Sequence, residues 1–177
     1  IKVSEQGRRV NPAIDLITVD GDPIAAAAGF IVIALNKPGG VVTTMKREDD
    51  RATVADYVAN RSDRLFHVGR LDADTEGLIL LTNDGNLAHG LTHPSSEVNK
   101  IYLARIKGSV SKTEISALTS GIELTDGLAK ADTVSIVGST PGETAIEISI
   151  HEGRNRIIRR MCEHIGHEVI QLVRVQF

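Results

Sequence analysis

From Thr144 to Ile150 the chain reads TAIEISI, and its bulky apolar side chains fall on every second position. Ile146, Ile148 and Ile150 share one face of such a segment and Ala145, Glu147 and Ser149 the other, so the pattern predicts a half-buried strand. FIVIALN (30–36), LILLTN (78–83), KIYLARIKG (100–108) and EVIQLVRVQF (168–177) are rich in strand formers and read as further strands. The period changes elsewhere. TVADYVAN (53–60) reads as a short helix with Thr53 as its N-cap. In SKTEISALTSG (111–121), Ser111 and Glu114 form a capping box and Gly121 stops the helix. From about Asn155 to Ile165, the residues Ile157, Ile158, Met161, Cys162 and Ile165 recur at helical spacing, and Gly166 follows. Strands precede the second and third helices without regular βα alternation. The expected class is α+β, with a mixed, mostly antiparallel sheet and flanking helices.

The first residues stand apart. VSEQGRRVNPAIDLITVDGDPI (3–24) reads as one or two short strands with turns at NP and DGD, and the small-residue run AAAAG (25–29) separates it from the body. Residues 1–28 are too few to build a core alone, so the expected domains are 1–28 and 29–177. The chain opens at Ile1 rather than methionine, the mark of a fragment or trimmed product.

Composition narrows the options. With 41% hydrophobic and 24% charged residues, the chain reads as a soluble globular protein. No apolar run approaches the ~20 residues that span a bilayer, and no targeting signal opens the sequence. The single cysteine, Cys162, excludes an internal disulfide and suits a reducing cytoplasm. A net charge of −3 argues weakly against a nucleic-acid binder, but GRNRIIRR (153–160) holds four arginines and no acid. With 3% aromatic residues and no tryptophan, a platform stacking many bases is not expected.

Two segments carry candidate chemistry. In HVGRLDADTEG (67–77), Asp72, Asp74 and Glu76 occupy alternate positions beside Arg70. In an extended segment they would point one way and repel one another. DADTEG copies the opening of a calcium-binding loop, but the twelfth position, Asn83, is not the required glutamate, and LILL reads as strand instead of flanking helix. Cys162, His164 and His167 lack a zinc geometry, and KPGG (37–40) lacks the spacing of a phosphate loop and reads as a plain turn. No metal site is expected. In the second segment, Arg154, Arg156, Arg159 and Arg160 crowd a helix N-terminus, where the macrodipole disfavours cations. A solvated face with an Arg159–Glu163 pair is the plain reading, and an anion site the functional one. Spacing thus reaches an anionic ligand and carboxylate chemistry, without a reaction.

Several blocks together resemble a known family. LNKPGGVVTT (35–44), HVGRLDADTEGLILLTNDGNLAHGLTHP (67–94), VNKIYLARIKG (98–108) and HEGRNRIIRRMCEHIGHEVIQLVRV (151–175) resemble successive motifs of the bacterial ribosomal RNA pseudouridine synthases. The nearest branch modifies single uridines in small- or large-subunit rRNA. The resemblance implies the pseudouridine synthase fold over residues 29–177, with 1–28 similar to the tail of an S4-type RNA-binding module. It implies an enzyme that isomerises a specific uridine, in large-subunit (23S) rRNA, to pseudouridine, with neither metal nor organic cofactor. The implied partner is ribosomal RNA or a ribosome-assembly intermediate, and the implied protein a cytoplasmic monomer away from membranes. Residue by residue, Asp72 becomes the catalytic aspartate, Tyr102 the tyrosine packed on the target base, and Arg159 the basic partner of Asp72. Leu172 walls the uracil pocket. Arg70 fills the gap left by the flipped base or grips a phosphate, and Arg154, Arg156 and Arg160 bind phosphates. The reading from another class is a catalytically idle rRNA- or ribosome-binding module that uses the same basic face.

Overall fold

The computed structural model describes residues 10–11, 15–23 and 29–177. The chain divides into Ile1–Phe30 and Ile31–Phe177. In the first unit, β1 (Thr18–Val19) and β2 (Asp22–Pro23) pair antiparallel around Asp20 and Gly21, both at positive φ. That is the turn an Asp-Gly pair favours between strands. Pro12 of the expected NP turn with residues 13–14, and Ile24 with residues 25–28 of the small-residue run, lie outside the described residues.

The second unit is α+β. Its strands are β3 (Val32–Lys37), β4 (Phe66–Val68), β5 (Glu76–Thr82), β6 (Lys100–Lys107), β7 (Ile122–Leu124), β8 (Gly127–Ala129), β9 (Thr133–Thr140), β10 (Glu143–Ile150) and β11 (Val169–Gln176). Its helices are α1 (Gly85–Thr92), α2 (Lys112–Ser120) and α3 (Ile157–His164). One seven-stranded sheet runs β3-β5-β11-β6-β10-β9, with β4 also on β5. Only β5 and β11 pair parallel; the other neighbours are antiparallel. β7 and β8 form a separate hairpin. The expected period-two strand buries Ile146, Ile148 and Ile150 against Ile157, Ile158, Met161 and Cys162 of α3 and Leu118 of α2. At ~1.5–3 kcal/mol per buried aliphatic side chain, this cluster is the main stabiliser of the unit.

Local chemistry explains most boundaries. Ser111 and Glu114 form the expected capping box of α2, and Gly121 follows at φ 114°. Val54–Val58 is 3-10 rather than α, entered through the Thr53 N–H, which donates to Asp56 at 2.8 Å. α1 departs from expectation, since NDG (83–85) reads as a turn in sequence. Asp84 instead caps a helix, accepting from Asn86 and Leu87, although Gly85 and Gly90 weaken the segment and none of its residues is buried. β4, β7, β8 and β9 also carry no clear alternation, and β9 is almost wholly exposed.

The sheet contains a fork. β3 lies along one side of β5 throughout, whereas on the other side β11 pairs only with Glu76 and Gly77, and β4 only with Leu80 to Thr82. Residues 69–75 leave β4 and enter β5 at this opening. Gly77 (φ 101°) makes the close approach possible, since a Cβ there would meet the Arg174 backbone nitrogen at 2.7 Å. Arg174 fills the gap, its Nε donating to the Leu78 carbonyl at 2.8 Å.

Candidate active site

The three carboxylates do not share a face. Thr75 N donates to Asp72 O at 3.0 Å, closing a turn over residues 72–75 that sends each acid its own way. Asp72 lines a cavity of about 880 Å³. Asp74 turns to the arginines before and within α3. Glu76, already in β5, accepts from the Gln171 amide of β11 at 3.0 Å. The expected repulsion is thus removed by a bend, while Asp74 and Glu76 pair as loop-shaping residues would.

Lys37 holds this bend and was not foreseen as a site residue. Its side chain is completely buried, and its Nζ donates to the carbonyls of Pro38 (2.9 Å), Val41 (2.8 Å) and Ala73 (3.2 Å). Burial pushes the Lys37 ammonium below its ordinary range, and Asp74, Glu76 and Asp72 oppose that shift. The Ala73 carbonyl also accepts from Gly40 N at 2.7 Å. The KPGG turn is a plain turn, as expected, yet it anchors the loop that carries Asp72. A lysine closing a strand just before a Pro-Gly turn was the available signal.

Four separated segments converge on the cavity. Arg70 and Asp72 come from the loop, Tyr102 from β6, Leu172 from β11, and Arg154 and Arg156 from the approach to α3. Leu172 is buried opposite Ala104, two residues along β6 from Tyr102, so that both side chains share the inner face. Arg70 is exposed, has no hydrogen bond or ion pair among the described residues, and also lines a second cavity of about 310 Å³.

The arginine cluster differs from its sequence reading. α3 begins at Ile157, with Arg156 as a left-handed N-cap (φ 48°), so the helix starts later than expected. Arg156 donates from Nη1 and Nη2 to the two Asp74 oxygens, each at 2.9 Å, and its Nη1 stands 4.0 Å from Asp72. Arg159 does not pair with Asp72 or Glu163. It donates to the Val169 carbonyl at 3.1 Å and the Asp74 carbonyl at 3.0 Å, with the Asp74 carboxylate at 3.4 Å. Arg160 grips both oxygens of Asp126, at 2.7 and 2.9 Å, and Arg154 bonds Glu152 at 2.7 Å and Asp126 at 3.1 Å. Neither Arg159 nor Arg160 lines the cavity. The cluster is therefore neutralised by Asp74, Asp126 and Glu152 instead of standing free for phosphates. The Arg156 hydrogen bonds hold the Asp74 carboxyl below its usual range, and Arg160 does the same for Asp126.

Among the described residues, no group of three His, Cys, Asp or Glu side chains is placed to hold a metal, and no helix is long and apolar enough to cross a membrane. Cys162 is a core residue whose thiol burial pushes up to about 12.

Known proteins resemble the chain in sequence and in fold. The profile of the RNA pseudouridylate synthase family matches residues 31–164. An RNA pseudouridine synthase of Mycobacterium leprae is 47% identical over 175 residues, spanning 97% of this chain and 68% of that protein. The ribosomal large subunit pseudouridine synthase B of Bacillus subtilis is 40% identical over 178 residues, spanning 99% and 72%. A crystal structure of a pseudouridylate synthase superposes with a TM-score of 0.72 at 27% identity, over 97% of this chain and 73% of the other.

Proposed function

The chain belongs to the RNA pseudouridylate synthase family, and from that premise we propose that it isomerises one uridine of large-subunit ribosomal RNA to pseudouridine, with Asp72 as the reacting carboxylate. The observation that carries this reading is the meeting of Asp72, Tyr102 and Leu172 in one cavity, from segments far apart in sequence. The ribosomal substrate rests on relatives whose names specify the large subunit.

Isomerisation detaches uracil from the sugar through nitrogen, turns it, and reattaches it through carbon. Asp72 acts at the sugar C1′, at the ring C6, or by removing a sugar proton. Each route needs a carboxylate beside a compartment that retains the loose ring. Tyr102 packs on the ring and Leu172 walls it, so the ring rotates instead of escaping. The target nucleotide leaves its stack at a cost of a few kcal/mol. Arg70, exposed at the cavity edge and without a partner among the described residues, fills the vacated position or grips a neighbouring phosphate. Arg156, 4.0 Å from Asp72, takes the place in the charge balance that the resemblance gives to Arg159. Arg159 serves that balance indirectly, by fixing Asp74 and hence the turn. Residues 1–28 are assigned to an S4-like RNA-binding piece that adds affinity and no chemistry.

Mapping pseudouridines in ribosomal RNA from cells with and without the protein tests the assignment. A single pseudouridine lost from 23S rRNA and restored by the protein supports it. An unchanged map supports an idle rRNA-binding module instead.

A further inference from the structure

A second charged feature lies beneath the cavity. Arg174 of β11 is 2% exposed and sits directly opposite Tyr102 across the β6–β11 ladder. Its Nε donates to the Leu78 carbonyl, its guanidinium lies 4.6 Å from the centre of the Phe177 ring, and the Tyr102 phenol interacts with it. Its Nη2 is buried without a hydrogen-bond partner, and among the described residues Arg174 makes no ion pair. Such a group costs stability: replacing a buried ion by a well-packed apolar side chain is commonly neutral or stabilising. Filling the fork accounts for its bulk but not for its charge.

Charge matching separates the cations around the cavity. Arg154 and Arg156 each hold carboxylates. Arg174 has only a carbonyl and two aromatic neighbours. Lys100, two residues before Tyr102 on β6, donates only to the carbonyls of Val98 (2.8 Å) and His151 (2.9 Å). Both cations line the cavity, and among the described residues neither makes an ion pair. Desolvation pushes the Lys100 ammonium down, the Arg174 charge pushes it further the same way, and the Asp132 carboxylate opposes them.

We infer that Arg174 and Lys100 form an electropositive floor that stabilises the uracil ring while it carries negative charge between its two attachments. The inference rests on the isomerase reading but not on the route. When the C1′–N1 bond breaks, its electron pair stays on N1 and the uracil is an anion. If Asp72 first adds at C6, the ring takes up the electron pair at that earlier step. After rotation, a ring electron pair forms the C5–C1′ bond as Asp72 gives up its bond to C1′ or C6 or returns the sugar proton, the C5 proton leaves to solvent, and N1 gains a proton. Net charge returns to its starting value. Arg174 acts through Tyr102 and through its field, because its unpaired nitrogen is covered. It is a positioning and charge-supporting residue. A fixed cation in a dry site needs no reorganisation as the charge develops.

The test uses the full chain in single-turnover reactions on an rRNA transcript carrying the target uridine, with RNA affinity and Tm measured alongside. Arg174→Met should lower the rate about 30-fold, with RNA affinity changed by less than about twofold and Tm equal or raised. Arg174→Lys should recover most of that rate. On a transcript with 5-fluorouridine at the target, whose ring is the more stable anion, the loss in the Met variant should shrink to below about fivefold, read as disappearance of 5-fluorouridine. An unaltered rate in Arg174→Met, or equal losses on the two transcripts, overturns the inference. Should Arg174→Met fail to fold, Lys100→Met carries the same comparison of transcripts and is judged by the same outcomes. Failure of the isomerase reading is distinct, because the unsubstituted protein would then be inactive on both RNAs.

Discussion

Arg156 meets Asp74 through both of its terminal nitrogens, each 2.9 Å from a carboxylate oxygen, and the same guanidinium stands 4.0 Å from Asp72. One arginine thus joins the carboxylate that shapes the turn to the carboxylate that faces the cavity. On the proposed reading, Asp74 belongs to the frame and Asp72 to the reaction.

The Asp74 pair carries a pH dependence of known sign. Hydrogen bonds from Arg156 depress the carboxyl in the folded state, so its contribution is full above the ordinary value of about 4 and is lost as pH falls through the depressed folded value. Asp74 is 48% exposed, so solvent screening holds that contribution to about 1 kcal/mol or less. Asp74→Asn should flatten this part of the acid limb in urea midpoints measured from pH 6 downward. An acid limb as steep as that of the unsubstituted protein would remove the pair from the account.

Gly77 is the tightest point of the fork. An alanine there would adopt φ 101° and press its Cβ into the Arg174 backbone. Gly77→Ala should lose about 3 kcal/mol of stability, read from urea denaturation. A loss below about 1 kcal/mol would mean that β5 and β11 separate readily there.

RNA binding should depend more on Arg70 than on the arginines near α3. Arg70→Ala should flatten the dependence of log affinity on log salt by about one unit, the effect of one lost phosphate contact. Arg160→Ala should change it less, because Asp126 already neutralises that guanidinium. A larger change from Arg160→Ala would mean that RNA displaces Asp126.

Cys162 should be chemically silent. Its burial and raised thiol make the thiolate scarce near neutral pH, so iodoacetamide should label it only in denaturant. Rapid labelling of the native protein would contradict the packing of α3.

These outcomes also mark what the sequence could disclose. The strand 143–150, the capping box of α2 and the apolar stripe of α3 were legible because each rests on a local pattern: period two, a Ser–Glu spacing, and helical recurrence. α1 was not legible, because its two glycines hid the helix that Asp84 caps. β9 was missed because it buries almost nothing. The residues that converge on the cavity came from family motifs, and their charge partners did not. Arg159 and Asp72 were matched by motif, but the bend at residues 72–75 brings Asp74 to Arg159 and leaves Asp72 near Arg156. Lys37 and Arg174 were overlooked because a lone cation inside an apolar strand gives no sign of its partners until register and burial are known.

The central claim is that Asp72 alone among the acids of its loop reacts, and Asp72→Asn tests it most directly. The substitution keeps the shape of the side chain and removes its charge and its nucleophilic or basic oxygen. Single-turnover assays with saturating protein separate chemistry from binding. The account predicts complete loss of pseudouridine formation in Asp72→Asn with RNA affinity equal or slightly raised. Asp74→Asn and Glu76→Gln should slow the reaction by about 10-fold or less. Full activity in Asp72→Asn, or complete losses at all three positions, would contradict it.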